Sequence, residues 1–103
     1  MYRATTPTHT FTLPVNPADC EEIQVTYRQG NTTLVFQMEN HILPPGMSID
    51  RNNVDITLTQ EQTLMFNKGK AQVQVRVLAG GKALASQIIN VSVFDVINEE
   101  ILS

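Results

Sequence analysis

Apolar and polar residues alternate along most of this chain, and alternation with a period of two predicts β-strands. One such run covers residues 23–28 and a second covers residues 33–38. Gly30-Asn31 lies between these two runs and suits a two-residue hairpin turn. A turn at this place would put six apolar side chains on one face, pairing Tyr27 with Leu34, Val25 with Phe36 and Ile23 with Met38.

Two further hairpins follow from the same reasoning. Gly80-Gly81 separates two alternating runs, and Asn52-Asn53 offers two residues that tolerate a positive φ. The glycine turn would pair Val77 with Leu84, Val75 with Ser86 and Val73 with Ile88. The asparagine turn would pair Ile49 with Ile56 and Met47 with Leu58. Because turn chemistry and apolar pattern agree in all three places, the sequence predicts antiparallel strands.

Three other segments complete the predicted architecture. A strand over Thr8–Leu13 has Pro7 and Pro14 at its ends, which indicates an edge position. At Ile88-Ile89 the alternation changes phase, and we expect a bulge or bend that lets one long segment serve both sheets. Residues 59–62, Thr-Gln-Glu-Gln, form a capping box that predicts a short helical turn between the two sheets.

These elements predict an all-β fold for a single domain covering residues 1–103. The expected architecture is an antiparallel β-sandwich of immunoglobulin-like type, with seven to eight strands and one short helical crossover turn. A content of 42% hydrophobic and 17% charged residues is typical of a chain that buries a core. Cys20 is the one cysteine, so a disulfide within the chain cannot stabilise the fold.

The charge of the chain disfavours two classes of partner. The net charge is −3, and the seven lysines and arginines are spread without a cluster. Binding to nucleic acid or to an anionic membrane surface needs clustered cations, so we expect neither. The first six residues lack an apolar signal-peptide core, and no stretch approaches the roughly 20 apolar residues of a membrane span. We therefore expect a complete product made in the cytoplasm, with secretion by another route or assembly into a virion left open.

No group of residues in the sequence resembles a catalytic or metal site. His9 falls in the apolar phase of the predicted edge strand, where a packed histidine is expected. His41 has no partner at the spacing of a metal site. Ser86 lacks the surroundings of a nucleophile elbow, so we expect its hydroxyl to bond to backbone at a strand irregularity. We therefore expect no enzyme activity, no metal and no cofactor.

Five residues form a predicted interaction surface. Arg28, Arg76, Gln72 and Gln74 should point outward, and arginine is enriched in protein interfaces where lysine is depleted. Thr10 lies in the edge strand, which carries no charge and is therefore not protected against pairing with another chain. We predict a protein partner or self-association, the alternative being an ordinary solvated face.

Five segments carry a resemblance to a known group of proteins. They are YRATTPTHTFTLP (residues 2–14), VTYRQ (25–29), ITLTQEQTLMF (56–66), VQVRVL (73–78) and ALAS (83–86). Together they resemble small proteins encoded by phages and prophages of Firmicutes, often among structural genes. The resemblance covers most of the chain and implies a virion-associated or accessory role. It implies no activity and no site residues.

Two classes of function remain after these considerations. The first is a non-enzymatic structural or adaptor protein, which the resemblance would place in a phage tail or baseplate. The second is a stand-alone binding module for a protein or carbohydrate ligand. Carbohydrate binding commonly uses exposed aromatic rings. The pattern turns Phe11, Tyr27 and Phe36 inward and leaves only Tyr2, Phe66 and Phe94 unassigned, which weighs against a carbohydrate ligand.

Overall fold

The computed structural model describes residues 1–103 as two antiparallel sheets that face each other across one core. The eight strands are β1 (Thr8–Thr12), β2 (Glu22–Gln29), β3 (Thr32–Glu39), β4 (Met47–Asp50), β5 (Asn53–Thr57), β6 (Gly69–Ala79), β7 (Lys82–Ala85) and β8 (Ile89–Val93). A 3₁₀ turn covers Pro17–Asp19, and helix α1 covers Gln60–Leu64. The smaller sheet has the order β1-β5-β4 and the larger β3-β2-β6-β7, with β8 also paired to β6. The predicted all-β antiparallel sandwich is confirmed.

The core is built around a pair of strands that no hairpin connects. β2 and β6 lie side by side at the centre of the larger sheet and turn alternate side chains toward the smaller sheet. The buried side chains of this pair are Ile23, Val25, Tyr27, Ala71, Val73, Val75 and Val77. Burying a large apolar side chain contributes about 1.5–3 kcal/mol, so these two strands supply much of the driving force for folding.

The hairpin between β2 and β3 has the predicted turn and the predicted register. Gly30-Asn31 forms the turn, and Gly30 adopts a φ of 56°, which glycine reaches without steric cost. The three predicted pairs occur as expected, namely Tyr27–Leu34, Val25–Phe36 and Ile23–Met38. Turn geometry and core pattern therefore select the same register.

The hairpin between β4 and β5 turns one residue earlier than predicted. Its turn is Arg51-Asn52 rather than Asn52-Asn53, and Arg51 takes the positive φ of 56°. The observed pairs are Met47–Ile56 and Ile49–Val54, so the predicted pairs Ile49–Ile56 and Met47–Leu58 are wrong. The register differs by two residues along β5. Since a shift of two leaves every inward side chain inward, the apolar pattern cannot distinguish the two registers.

The β6–β7 hairpin begins as predicted, with Val77 opposite Leu84 across Gly80-Gly81. Regular pairing then ends at Ala85. The Ser86 N–H donates to the Val75 carbonyl at 2.8 Å, and the Ser86 Oγ accepts from the Val75 N–H at 3.0 Å. The serine hydroxyl therefore replaces a backbone acceptor at a strand irregularity, which is the role predicted for it.

A β-bulge separates β7 from β8. Val73 pairs with Ile89, and the predicted pair Val73–Ile88 is wrong because one extra residue is accommodated after Ser86. The change of phase near Ile88-Ile89 is therefore real. Its predicted consequence is also wrong, because β8 stays on β6 in the larger sheet and does not cross to the smaller one.

Helix α1 is the predicted crossover. The Thr59 Oγ1 accepts from the Gln62 N–H at 3.1 Å, and the Gln62 Oε1 accepts from the Thr59 N–H at 2.9 Å, which completes the capping box. The helix connects β5 of the smaller sheet to β6 of the larger sheet. Phe66 follows it and is fully buried, so the crossover closes one end of the core.

Candidate functional site

The five predicted interaction residues divide between two surfaces. Arg28, Gln72, Gln74 and Arg76 lie together on the outer face of the larger sheet, on the neighbouring strands β2 and β6. Thr10 lies on β1, in the smaller sheet and therefore on the opposite layer of the sandwich. We call the first surface the Arg/Gln face, which consists of Gln24, Arg28, Gln37, Gln72, Gln74 and Arg76.

Amide side chains organise the Arg/Gln face. Hydrogen bonds join Gln24 Nε2 to Gln37 Oε1 at 2.9 Å, Gln74 Nε2 to the Ser86 carbonyl at 3.0 Å, and Arg28 Nη2 to Gln72 Oε1 at 3.4 Å. The arginine bond is long and therefore weak. Gln24, Gln37 and Gln74 are thus held in place by hydrogen bonds, while the guanidinium groups keep most of their donors for other partners.

Neither arginine of this face has an acidic partner. Both salt bridges of the protein involve Arg3, while Arg28 and Arg76 are exposed. Arg28 stands opposite Gln72, and Arg76 stands opposite Gln24, which is four residues from Arg28 along β2. The two arginine positions are therefore separated by about 13 Å along the sheet. An unpaired guanidinium can bind a carboxylate through two parallel hydrogen bonds or stack on an aromatic ring.

Two depressions lie on the Arg/Gln face. One has a volume of about 300 Å³ and the other of about 120 Å³. Ile88 borders the larger one and is 55% exposed, because the bulge lifts it out of the core pattern. The larger depression is lined by Thr26, Arg28, Gln72, Val73, Gln74 and Ile88, and the smaller includes Glu22, Gln24, Gln37 and Arg76. Depressions with mixed polar and apolar linings suit the side chains of another protein.

The second surface is the free side of β1, which pairs only with β5 and is the edge strand predicted. At its two ends, the Leu13 N–H donates to the Asn52 carbonyl at 2.8 Å and the Leu58 N–H donates to the Pro7 carbonyl at 3.0 Å. Backbone groups alternate in direction along an antiparallel strand, so the odd-numbered residues bond to β5. The even-numbered residues direct their N–H and C=O groups outward. They are Thr8, Thr10 and Thr12, and we call them the threonine edge.

The threonine side chains of this edge are fixed by β5. Each hydroxyl bonds to the residue opposite, giving the pairs Thr8–Thr57 at 2.8 Å, Thr10–Asp55 at 2.6 Å and Thr12–Asn53 at 2.8 Å. Because the side chains are already ordered, another strand that paired with this edge would lose little of their rotamer entropy.

His9 lies on the inner side of β1 and contacts the core, as predicted. Its Nδ1 is 2.7 Å from the Tyr27 hydroxyl, which can donate to a neutral imidazole. Burial lowers the pKa of His9, with a smaller contribution from the N-terminal ammonium, and burial raises the pKa of Tyr27 far above its ordinary value. Both groups are therefore held in their neutral forms.

Arg3 organises a cluster that the sequence did not reveal. Its Nε donates to the Phe66 carbonyl at 2.6 Å, and its Nη2 donates to the Leu64 carbonyl at 3.3 Å. Its Nη1 bonds to Asp95 at 2.9 Å and also to Glu99. The Glu99 bond is the main cause of the raised pKa of Arg3. These partners lie 61 to 96 residues away along the chain, so no local pattern could have indicated them.

The N-terminal segment lies against the end of β8. Tyr2 forms a parallel bridge with Phe94, and the centroids of their rings are 5.1 Å apart. The Met1 ammonium donates to the Ser92 carbonyl at 2.7 Å. Tyr2 is 57% exposed and Phe94 47% exposed, so the pair forms an aromatic patch on the surface.

Other chemistry in the structure is limited. Cys20 is fully buried, and burial raises the pKa of its thiol, with smaller contributions from Glu21 and Asp19. No group of three or more histidine, cysteine, aspartate or glutamate side chains is placed to hold a metal ion. Neither helical segment has the length and apolar character that crossing a bilayer requires.

No family model matches the chain, and no curated protein or solved structure is similar enough to count as a match. The surfaces of the protein that could contact a partner are the Arg/Gln face, the threonine edge and the aromatic patch.

Proposed function

We propose that this protein is a non-enzymatic structural or adaptor module that docks onto a partner protein through the Arg/Gln face. The observation that carries the proposal is the exposed pair Arg28 and Arg76, which have no acidic partner and stand among ordered glutamines. Arginine is enriched at interfaces and is one of the residues that most often dominate binding energy. The resemblance of the sequence to phage and prophage proteins supports a phage particle or its assembly as the setting.

The strand order supports an immunoglobulin-like assignment within this proposal. The order β1-β5-β4 corresponds to strands B, E and D of that fold, and β3-β2-β6-β7 corresponds to C′, C, F and G. β8 continues strand G after the bulge. Strand A, which would lie beside β1, has no counterpart here. A fold does not define a function, so the assignment serves only to locate the free edge and the free face.

The chemistry of the face indicates what the partner should offer. Two guanidinium groups about 13 Å apart suit a surface that presents carboxylates or aromatic rings at a similar spacing. The glutamine amides between them can both donate and accept hydrogen bonds. We infer a partner with an acidic or aromatic patch, bound by polar contacts around the exposed Ile88.

Charge reversal on this face tests the proposal. The double variant Arg28→Glu and Arg76→Glu should weaken binding to a structural protein encoded beside this one by about 100-fold or more, measured by calorimetry. Arg51→Glu, an exposed arginine at the β4–β5 turn, is the matched control and should bind normally. Equal affinity of the double variant and the parent for every such partner would refute the proposal.

The exposed pair Tyr2 and Phe94 favours one alternative, a carbohydrate-binding module. Exposed rings can stack on the apolar face of a sugar, and these two rings are adjacent. Titration of oligosaccharides, followed by NMR, tests this alternative. Binding that disappears in Phe94→Ala and persists in the Arg28/Arg76 variant would favour it over docking through the Arg/Gln face.

A further inference from the structure

We propose that the threonine edge pairs with the threonine edge of a second copy of this chain. The two smaller sheets, with three strands each, would then form one continuous antiparallel sheet of six strands. The inference goes beyond the proposed function, because it concerns self-association and requires no second protein. It uses a different surface, since the Arg/Gln face lies on the other layer of the sandwich.

The free backbone groups of β1 supply the bonds for this pairing. Thr8, Thr10 and Thr12 each direct an N–H and a C=O away from β5, and no other segment of the chain bonds to these groups. A row of unpaired edge groups is a template for another strand. Natural edges are usually interrupted by charge, proline or a bulge, and β1 contains none of the three.

The sequence of β1 is complementary to itself. Residues 8–12 read Thr-His-Thr-Phe-Thr, with a threonine at the centre and at both ends. A two-fold axis beside Thr10 places it opposite Thr10 of the second copy, and places Thr8 opposite Thr12. Each of these positions has outward backbone groups, so the symmetric arrangement allows six hydrogen bonds between the chains.

Proline limits the ladder to the same length in both copies. In this register Pro14 would stand opposite Thr6 of the second copy, and Pro14 has no N–H to donate. Pairing therefore ends at Thr12 on each strand. A strand from an unrelated protein would need its own run of outward backbone groups of the same length, whereas a second copy of this chain already has one.

The other edges of the sandwich are β3, β4 and β7, and each carries a charge at one end. β3 ends in Glu39, whose carbonyl already accepts from the Ile42 N–H at 2.9 Å. β4 ends in Asp50 and the strained Arg51 turn, which place two charges at its tip. β7 begins with Lys82 and is followed by the bulge after Ser86. These features interrupt a second strand, so the threonine edge is the one we assign to self-association.

Engineered cysteines test the register directly. Thr10→Cys should cross-link two copies under mild oxidation, because residues opposite each other at a bonded position have Cα atoms about 5.5 Å apart, within reach of a disulfide. Thr8→Cys is the matched control, because the two Thr8 positions would lie about 13 Å apart. A mixture of Thr8→Cys and Thr12→Cys chains should cross-link again. The parent should not, because Cys20 is buried.

Sedimentation of a proline variant provides an independent test. Thr10→Pro removes an outward N–H and no bond of the β1–β5 ladder, so the chain should fold and become a monomer where the parent is a dimer. Thr10→Ser should stay dimeric, and denaturant midpoints check that both variants fold. A monomeric parent, or cross-linking of Thr8→Cys as fast as Thr10→Cys, would overturn the inference.

The two proposals fail separately. Suppose that the parent is monomeric and that the Arg28/Arg76 variant no longer binds the partner of the parent. This result contradicts the threonine-edge inference alone. A dimeric parent with unchanged partner binding in the Arg28/Arg76 variant removes only docking through the Arg/Gln face. Pairing of the threonine edge with a strand from a different protein, with the parent monomeric, also contradicts the inference.

Discussion

Two sheet edges of this protein lie on either side of one cleft, and they differ in construction. Leu13 and Pro14, after β1, line one side of this cleft of about 110 Å³, and Leu84 and Ser86 line the other. The β1 edge is uncharged, and its free backbone groups are continuous because its pairing with β5 contains no bulge. The β7–β8 edge begins with a lysine, is broken by a bulge, and is covered at its far end by residues 1–3.

The exposed side chains explain why the β7–β8 edge is interrupted by a bulge and the β1 edge is not. Leu84, Ile88 and Ile89, on or beside β7 and β8, are each between 43% and 55% exposed. A long flat edge with exposed apolar side chains promotes aggregation, and a bulge or a charge prevents it. The outward side chains of β1 are threonines. A polar edge can stay continuous without attracting unrelated chains, which is what a specific contact requires.

The largest expected effect on stability that bears on this comparison is that of Phe11→Pro, measured together with Thr10→Pro. The Phe11 N–H faces β5 and its ring is buried, so the substitution should cost more than about 3 kcal/mol in the free energy of unfolding. Thr10→Pro should cost much less, because its N–H faces outward. Urea denaturation measures both. Equal losses would mean that the alternation of backbone groups along β1 is not as described.

On the other edge, Ser86→Ala tests the bulge. The variant leaves the Val75 N–H of the central strand without an acceptor, and we expect a loss of about 2 kcal/mol. Ser86→Thr keeps the hydroxyl and is the control. If the alanine variant unfolds at the same urea concentration as the parent, the hydroxyl does not hold the bulge.

Arg3→Ala tests the cover over the end of β8 and should have a smaller effect, about 1 kcal/mol. The loss comes chiefly from the bonds to the Leu64 and Phe66 carbonyls, since the ion pairs with exposed Asp95 and Glu99 contribute little. Hydrogen exchange of the Phe94 amide, which bonds to the Met1 carbonyl, should also become faster. Unchanged exchange would show that the N-terminal segment stays in place without Arg3.

The pH dependence of His9 is the smallest effect we expect. Its pKa is lower in the folded protein than the value near 6.5 of an unfolded chain, so the unfolded state binds more protons as the pH falls. Its contribution is therefore complete above about pH 6.5 and is lost on acidification. The difference between parent and His9→Gln denaturation midpoints, measured from neutral to mildly acidic pH, isolates this term. A difference that grows in favour of the parent on acidification would contradict the sign.

The sequence predicted the strands well and the β4–β5 register badly, and a comparison of the β2–β3 and β4–β5 turns shows why. Gly30 stands where a positive φ is needed, so its turn has one solution. At the second hairpin the chain places the positive φ on Arg51, although the asparagines beside it tolerate this conformation better. Both registers keep Met47 and Ile49 inward, so the apolar pattern alone does not choose between them.

The sequence predicted which side chains of the candidate site point outward, but not which of them lie next to each other. Alternation alone turns Arg28 and Gln72 outward, but their adjacency depends on the β2–β6 pairing, which no turn specifies. Pro7 and Pro14 indicated an edge strand, while the outward direction of the threonine backbone follows from the observed bonds to β5. The sheet to which β8 belongs was undecidable from its period, which is the same for either sheet.

The central β2–β6 pair also has a consequence for how the chain folds. Val25 and Val75 are opposite each other although they lie 50 residues apart in sequence. Hairpins form within about 1–10 μs, whereas sandwiches dominated by distant pairings fold in about milliseconds to seconds. A β2–β3 hairpin that forms early would therefore leave the other edge of β2 unpaired until β6 arrives. At high concentration, β6 of another chain could dock there first and yield a domain-swapped product during refolding.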